Sequence, residues 1–219
     1  MPYILLMQEK KEIYTEIDFN LLKNSFNKEW LNLVSDMYVD HVEELSNNYF
    51  TDQGLFKGRW EKDKIIKDDV LYFNKLLYPP NYAILDYISK NINFFKDKTI
   101  IDNGCGFGIL SVFLDKIGIK CFNYDNLAHG VKMDSYNNFL KQINKKFNKQ
   151  INLIETDFKD RKFDVVINSG ALLDHPKLLD CGLYLLDTKK EHGCLDINYE
   201  LIKKYRPLEV RFNFLKPSV

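Results

Sequence analysis

The segment Thr99-Ile-Ile-Asp-Asn-Gly-Cys-Gly-Phe-Gly-Ile-Leu constrains the fold of this chain more than any other. A short apolar run ends in Asp102, glycines follow at positions 104, 106 and 108, and an apolar helical pattern begins at Ile109. Glycine lets a backbone turn tightly and approach a ligand closely, because no Cβ intervenes. A strand that turns through such glycines into a helix is the opening of a strand–helix–strand unit. The pattern continues to alternate. Ile109 to Ile117 reads as a helix closed by Gly118, a residue that accepts the left-handed conformation at a helix end. Ile119 to Tyr124 reads as a second strand and Val131 to Phe147 as a second helix. Ile151 to Ile154 and Phe163 to Ile167 follow as strands, Pro176 to Leu186 as a helix, and Cys194 to Asn198 and Glu209 to Leu215 as strands. Alternation of this kind builds an α/β, doubly wound, mostly parallel sheet with helices on both faces.

Before residue 97 the patterns are helical. Trp30, Val34, Met37, Tyr38, Val42 and Leu45 fall at three-and-four spacing, the mark of an amphipathic helix. Thr51 to Gly58, with two glycines, reads as a loop. A second helix is expected from about Lys62 to Leu77, ending before Pro79, and a third from Pro80 through Ile92. The expected organisation is an N-terminal helical extension or cap over 1–96 and a ligand-binding domain over 97–219. A chain of 219 residues with 45% hydrophobic content can build a core of that size.

In doubly wound sheets, ligands bind at the carboxyl ends of the strands, where the glycine turn sits. The dinucleotide fingerprint G-x-G-x-x-G places pyrophosphate on the following helix. Here the third such position is Ile109, and glycine comes one residue early at Gly108. Asp102 is also a poor neighbour for pyrophosphate, whereas a carboxylate there suits a cationic amino-acid moiety. Both departures point away from a nicotinamide dinucleotide.

At these residues the chain resembles the class I S-adenosylmethionine-dependent methyltransferases, which have a Rossmann-like fold. Their first motif is an acidic residue followed by G-x-G-x-G at the end of the first strand, and Asp102, Gly104, Gly106 and Gly108 match it without a gap. The resemblance implies S-adenosyl-L-methionine as cofactor, with Asp102 at its methionine end and Asn103, Gly104, Cys105 and Gly106 along the turn. It further implies that Asp125 and Asn126, closing the second strand, take the ribose hydroxyls. Asp157, past the third strand, would contact the adenine amino group, with Phe158 near the ring. Asn168, ending the fourth strand, would face the transferred methyl. The resemblance covers about Asp97 to Asn198. Beyond the fifth strand the family adds a helix and an antiparallel strand pair, and residues 199–219 leave room for one strand fewer, so one is expected to be missing or displaced.

A sulfonium methyl is already activated, so alignment with the acceptor lone pair supplies much of the acceleration. The acceptor is correspondingly hard to read. Asn168-Ser-Gly lacks the Pro-Pro-aromatic motif of enzymes acting on exocyclic amines of DNA bases, and no Pro-Cys pair stands there for attack on cytosine C5. The paired acidic ligands of magnesium-dependent catechol-type enzymes are not evident, so no metal is expected. Asn168 and His175 are the catalytic candidates, since a histidine can serve as base near neutral pH; a helix-capping His175 is the plainer reading. His41, His129 and His192 read as structural or turn residues. Trp60, Tyr78 and Tyr82 could line an acceptor pocket or belong to the core.

Lys+Arg and Asp+Glu both count 31, for a formal net charge of +0. Dedicated nucleic-acid binders carry a basic excess, so nucleic acid is not favoured as a partner. Lys141, Lys145, Lys146 and Lys149 are read as the solvated side of a helix. Cys105, Cys121, Cys181 and Cys194 form no C-x-x-C pair and no zinc-ligand spacing. The opening apolar run is too short for a membrane span and lacks a basic leader. A soluble, cytoplasmic chain with reduced thiols is expected, with no membrane partner. The functional expectation is direct methyl transfer to a small-molecule or protein acceptor. Its rivals are an RNA methyltransferase and a catalytically silent partner subunit.

Overall fold

The computed structural model describes residues 11–13, 26–49, 79–127, 132–158, 160–168, 178, 181, 183–187 and 208–212. Seven strands form one sheet: β1 (Lys11–Ile13), β2 (Ile100–Asn103), β3 (Cys121–Tyr124), β4 (Ile154–Glu155), β5 (Val165–Asn168), β6 (Leu183–Asp187) and β7 (Leu208–Phe212). Their order is β1-β7-β6-β5-β2-β3-β4, and each described pairing is parallel. The order reverses between β2 and β5, so the crevice for a ligand opens above Asp102, Asn103 and Asn168. The helices are α1 (Lys28–Tyr49), α2 (Pro79–Lys90), α3 (Ile92–Phe95), α4 (Ile109–Lys116) and α5 (Met133–Phe147). No helix among the described residues is long and apolar enough to cross a membrane.

Alternation along each strand feeds two cores. Ile100, Cys121, Ile154, Val165, Ile167, Leu183 and Leu185 join α1, α2, α4 and α5 in the larger one. Ile101, Tyr124, Phe158, Phe163, Val166 and Leu178 form the smaller one on the opposite face. The helix expected from Trp30 is α1; its Trp30, with Phe26 just before the helix, seats on Phe113 of α4, with ring centroids 5.2 and 5.0 Å away. The first turn of α2 carries Pro79 and Pro80, and Ile84, Leu85 and Ile88 are fully buried. The loop at 51–58 and the helix at 62–77 lie outside the described residues.

One expectation at the C-terminal side is corrected. The stretch ending in Leu186, read as helical, holds strand β6 at Leu183–Asp187. A short apolar run fits either a buried helix or a buried strand. The last strand runs parallel to β6, with no antiparallel pair among the described residues, and N-terminal β1 closes that edge by pairing with β7. The candidate strand at 194–198 lies outside the described residues.

The other edge, β4, is held by α5. Asn137 Nδ2 donates to the Ile154 carbonyl at 3.1 Å while its Oδ1 accepts from Ile154 N–H at 2.7 Å. Two turns along the helix, Asn144 makes the same pair of bonds to Ile151, at 2.9 and 2.8 Å.

Candidate functional site

Three glycines in left-handed geometry turn the chain from β2 into α4: Gly104 at φ 73°, Gly106 at φ 54° and Gly108 at φ 71°. The turn is pinned to the tip of β3, because Gly104 and Cys105 N–H both donate to the Tyr124 carbonyl, at 2.8 and 3.1 Å. A Cβ at Gly106 would meet nothing within 4 Å, so open space lies beside it, whereas one at Gly108 would press on Leu140 Cδ1 at 3.0 Å. The open side is where a ligand can lie against bare backbone.

Two carboxylates flank this turn. Asp102 is 2% exposed, and its Oδ1 has no hydrogen-bond partner. Burial, reinforced by the nearby Asp125, pushes its carboxyl up to about 8. Asp125 is held rigidly: Oδ2 accepts from Gly106 N–H at 3.0 Å and Oδ1 from Leu127 N–H at 2.7 Å. Each oxygen keeps a lone pair for a further donor. The Cys105 thiol, half-buried in the turn, is pushed well above its ordinary range by burial and both aspartates, which leaves it a poor nucleophile.

Register brings the remaining candidates to the same lip. Tyr124, Asn103 and Asn168 stand side by side across β3, β2 and β5, with Asn103 and Asn168 1% and 2% exposed. Asn126 is exposed just past β3, and Asp157 is exposed on the loop after β4. Phe158 is built into the smaller core, edge-on to Tyr124 at 5.3 Å and Phe163 at 5.5 Å, and so anchors this loop from below. His175, with His129, His192, Trp60 and Tyr78, lies outside the described residues, as does the Tyr82 side chain.

The structure adds residues that sequence patterns did not mark as part of the site. Phe107, inside the glycine turn, packs edge-on to Tyr136 of α5 at 4.7 Å, Tyr38 of α1 at 5.6 Å and His41 of α1 at 5.8 Å. His41 donates from Nε2 to the Ser135 carbonyl at 2.8 Å, and burial holds its pKa below the ordinary value. Burial, reinforced by Asp125 and Cys105, pushes the Tyr136 hydroxyl up. Helical spacing of Tyr136, Phe139, Leu140 and Ile143 marks a core face, but no pattern in a single chain tells which aromatic backs the turn.

The chain is 30% identical over 161 residues to protein arginine N-methyltransferase 1 of Chlamydomonas reinhardtii, covering 68% of this chain and 41% of that one. It is 33% identical over 98 residues to the ribosomal protein L11 methyltransferase of Campylobacter fetus subsp. fetus, covering 42% of this chain and 33% of that one. The strand order, the aspartate-flanked glycine turn and these relatives agree with the resemblance to the class I S-adenosylmethionine-dependent methyltransferases. No protein-family model matches it. A solved magnesium protoporphyrin IX methyltransferase from Synechocystis PCC 6803 is 19% identical, with a TM-score of 0.36 over 61% of this chain and 64% of that one. The chain spans 21% to 41% of the length of the arginine methyltransferases it matches.

Proposed function

We propose that this chain binds S-adenosylmethionine over the glycine turn and transfers its methyl group directly to a protein side chain or a small molecule. The observation that carries the reading is Asp102 Oδ1, a buried acceptor without a partner, at a strand end beside open glycine backbone. Leaving such an atom unsatisfied is costly, and a cationic amino-acid group is the chemistry that would satisfy it. The residues present therefore fit the cofactor.

S-adenosylmethionine supplies a methyl group already activated by its sulfonium sulfur. Asp102 would hold the ammonium of the methionine moiety, and the turn at Asn103, Gly104, Cys105 and Gly106 would take its backbone-facing side. Asp125, fixed by two N–H donors, is set to accept from the ribose hydroxyls. Asn126 stands beside it, and Asp157 reads the adenine amino group. Asn168 lies on the acceptor side of the crevice. His175 is the candidate base, required only when the acceptor must lose a proton.

The similarity to enzymes named for arginine and ribosomal protein L11 supports a protein acceptor over a small molecule. The even charge balance supports either over RNA. Residues 1–96 form the proposed cap and 97–219 the cofactor domain. Among the described residues Cys105, Cys121 and Cys181 form no disulfide, which supports a reducing, cytoplasmic setting.

Calorimetric titration with S-adenosylhomocysteine tests the reading. Saturable binding by the wild-type chain and its loss in Asp102→Ala are expected. No binding by the wild-type chain would overturn the proposal. Binding without transfer to any protein or small-molecule acceptor would leave a silent partner subunit.

A further inference from the structure

Arg161 is the side chain that shapes the loop carrying Asp157. Its backbone N–H and its Nε both donate to the Phe158 carbonyl, each at 3.2 Å. Its guanidinium pairs with the Glu155 carboxylate and lies over the Phe122 ring, 4.8 Å from the centroid. One planar group thus reaches both sides of Asp157, the end of β4 on one and the Phe158 carbonyl on the other. The far anchor points are themselves fixed. The Glu155 carbonyl accepts from Asp125 N–H at 3.2 Å, and Phe158 is 2% exposed in the smaller core. Tying a loop at both ends by bonds of fixed direction narrows the orientations open to the residues between them. A guanidinium suits this better than an ammonium, because its donors are planar and its face stacks on an aromatic ring.

We propose that Arg161 is a positioning residue for purine specificity: by tying the Glu155 carboxylate to the Phe158 carbonyl it aims Asp157 at the position-6 edge of the base. This rests on the proposed cofactor role of the site. A carboxylate held there accepts from an exocyclic amine and repels a carbonyl oxygen, so it separates adenine from hypoxanthine. Without Arg161 the loop keeps Phe158 as its anchor but loses the fixed bearing of Asp157.

The test compares S-adenosylhomocysteine with S-inosylhomocysteine, which replaces the 6-amine by a carbonyl and protonates N1, by calorimetry on the full chain. The wild-type chain is expected to prefer the adenosine compound by about tenfold or more, the ratio of a charge-assisted hydrogen bond made or lost. Arg161→Ala is expected to bring the preference below about threefold, chiefly by weakening the adenosine compound. Arg161→Lys should recover part of the preference, since it restores the Glu155 pair but not the Nε bond to the Phe158 carbonyl, whose bond from the backbone N–H at 161 persists in every variant. Glu155→Gln loosens the same loop from its other end and carries the test should Arg161→Ala fail to fold.

The outcomes separate cleanly. Equal weakening of both compounds in the Arg161 variants would make the residue a general prop and overturn the inference alone. An unchanged preference would do the same. A wild-type chain that binds both compounds equally removes the role of Asp157, and one that binds neither overturns the cofactor reading as well.

Discussion

Asp102 makes cofactor affinity depend on pH in a way that can be worked out beforehand. In the free chain its carboxyl is pushed up to about 8 by burial and by Asp125. At pH 6 about 1% of the chains carry it ionised, and at pH 8 about half do. Only the ionised form offers a charged partner to an ammonium. Affinity for S-adenosylhomocysteine should therefore rise about fiftyfold from pH 6 to pH 8, close to tenfold for each unit through the lower part of that range. Binding must also release a proton, visible as a dependence of the calorimetric heat on the buffer's ionisation enthalpy. Asp102→Asn should bind weakly and flatten the profile. Stability of the free chain runs the opposite way. The raised pKa means that the native chain holds a proton the unfolded chain has released, so the stabilisation is complete below about 4 and is lost as pH rises to about 8. A wild-type affinity that is flat between pH 6 and 8, or an Asp102→Asn variant with the wild-type slope, would refute the reasoning.

Further variants probe the frame of the site. Gly108→Ala places a Cβ at φ 71° against Leu140 Cδ1, 3.0 Å away, and should cost about 1–3 kcal/mol in chemical denaturation. Gly106→Ala meets nothing within 4 Å, so it should cost only the left-handed backbone strain of about 1–2 kcal/mol while markedly weakening cofactor binding in the same titration. Asn137→Ala strips both partners from the Ile154 backbone and should lower stability by about 1–3 kcal/mol, with faster hydrogen exchange at Ile154 than at Ile100.

The site was legible wherever chemistry and backbone demand coincide. Gly104, Gly106 and Gly108 are required by positive φ, and Asp102 and Asp125 follow from strand ends that converge on that turn. The strand at Leu183–Asp187 was not legible, because Leu, Tyr and Leu in succession suit a buried strand and a buried helix equally. The strand at Lys11–Ile13 carries no period in three residues, and only its partner β7 makes it one. Arg161, Tyr136 and His41 act through neighbours distant in sequence or through aromatic faces, and composition does not encode such pairs. The free Asp102 oxygen is likewise a property of the assembled fold.

The carboxamides of Asn137 and Asn144 have a consequence beyond holding β4. By bonding to the backbone N–H and C=O of Ile154 and Ile151, they occupy groups that an added strand would need. Along this border the helix acts as a sealing strip, so an incoming extended peptide finds no free ladder to zip onto. Growth of the sheet by a second copy or an extended substrate is thereby steered to the opposite border, where β1 is the outermost strand.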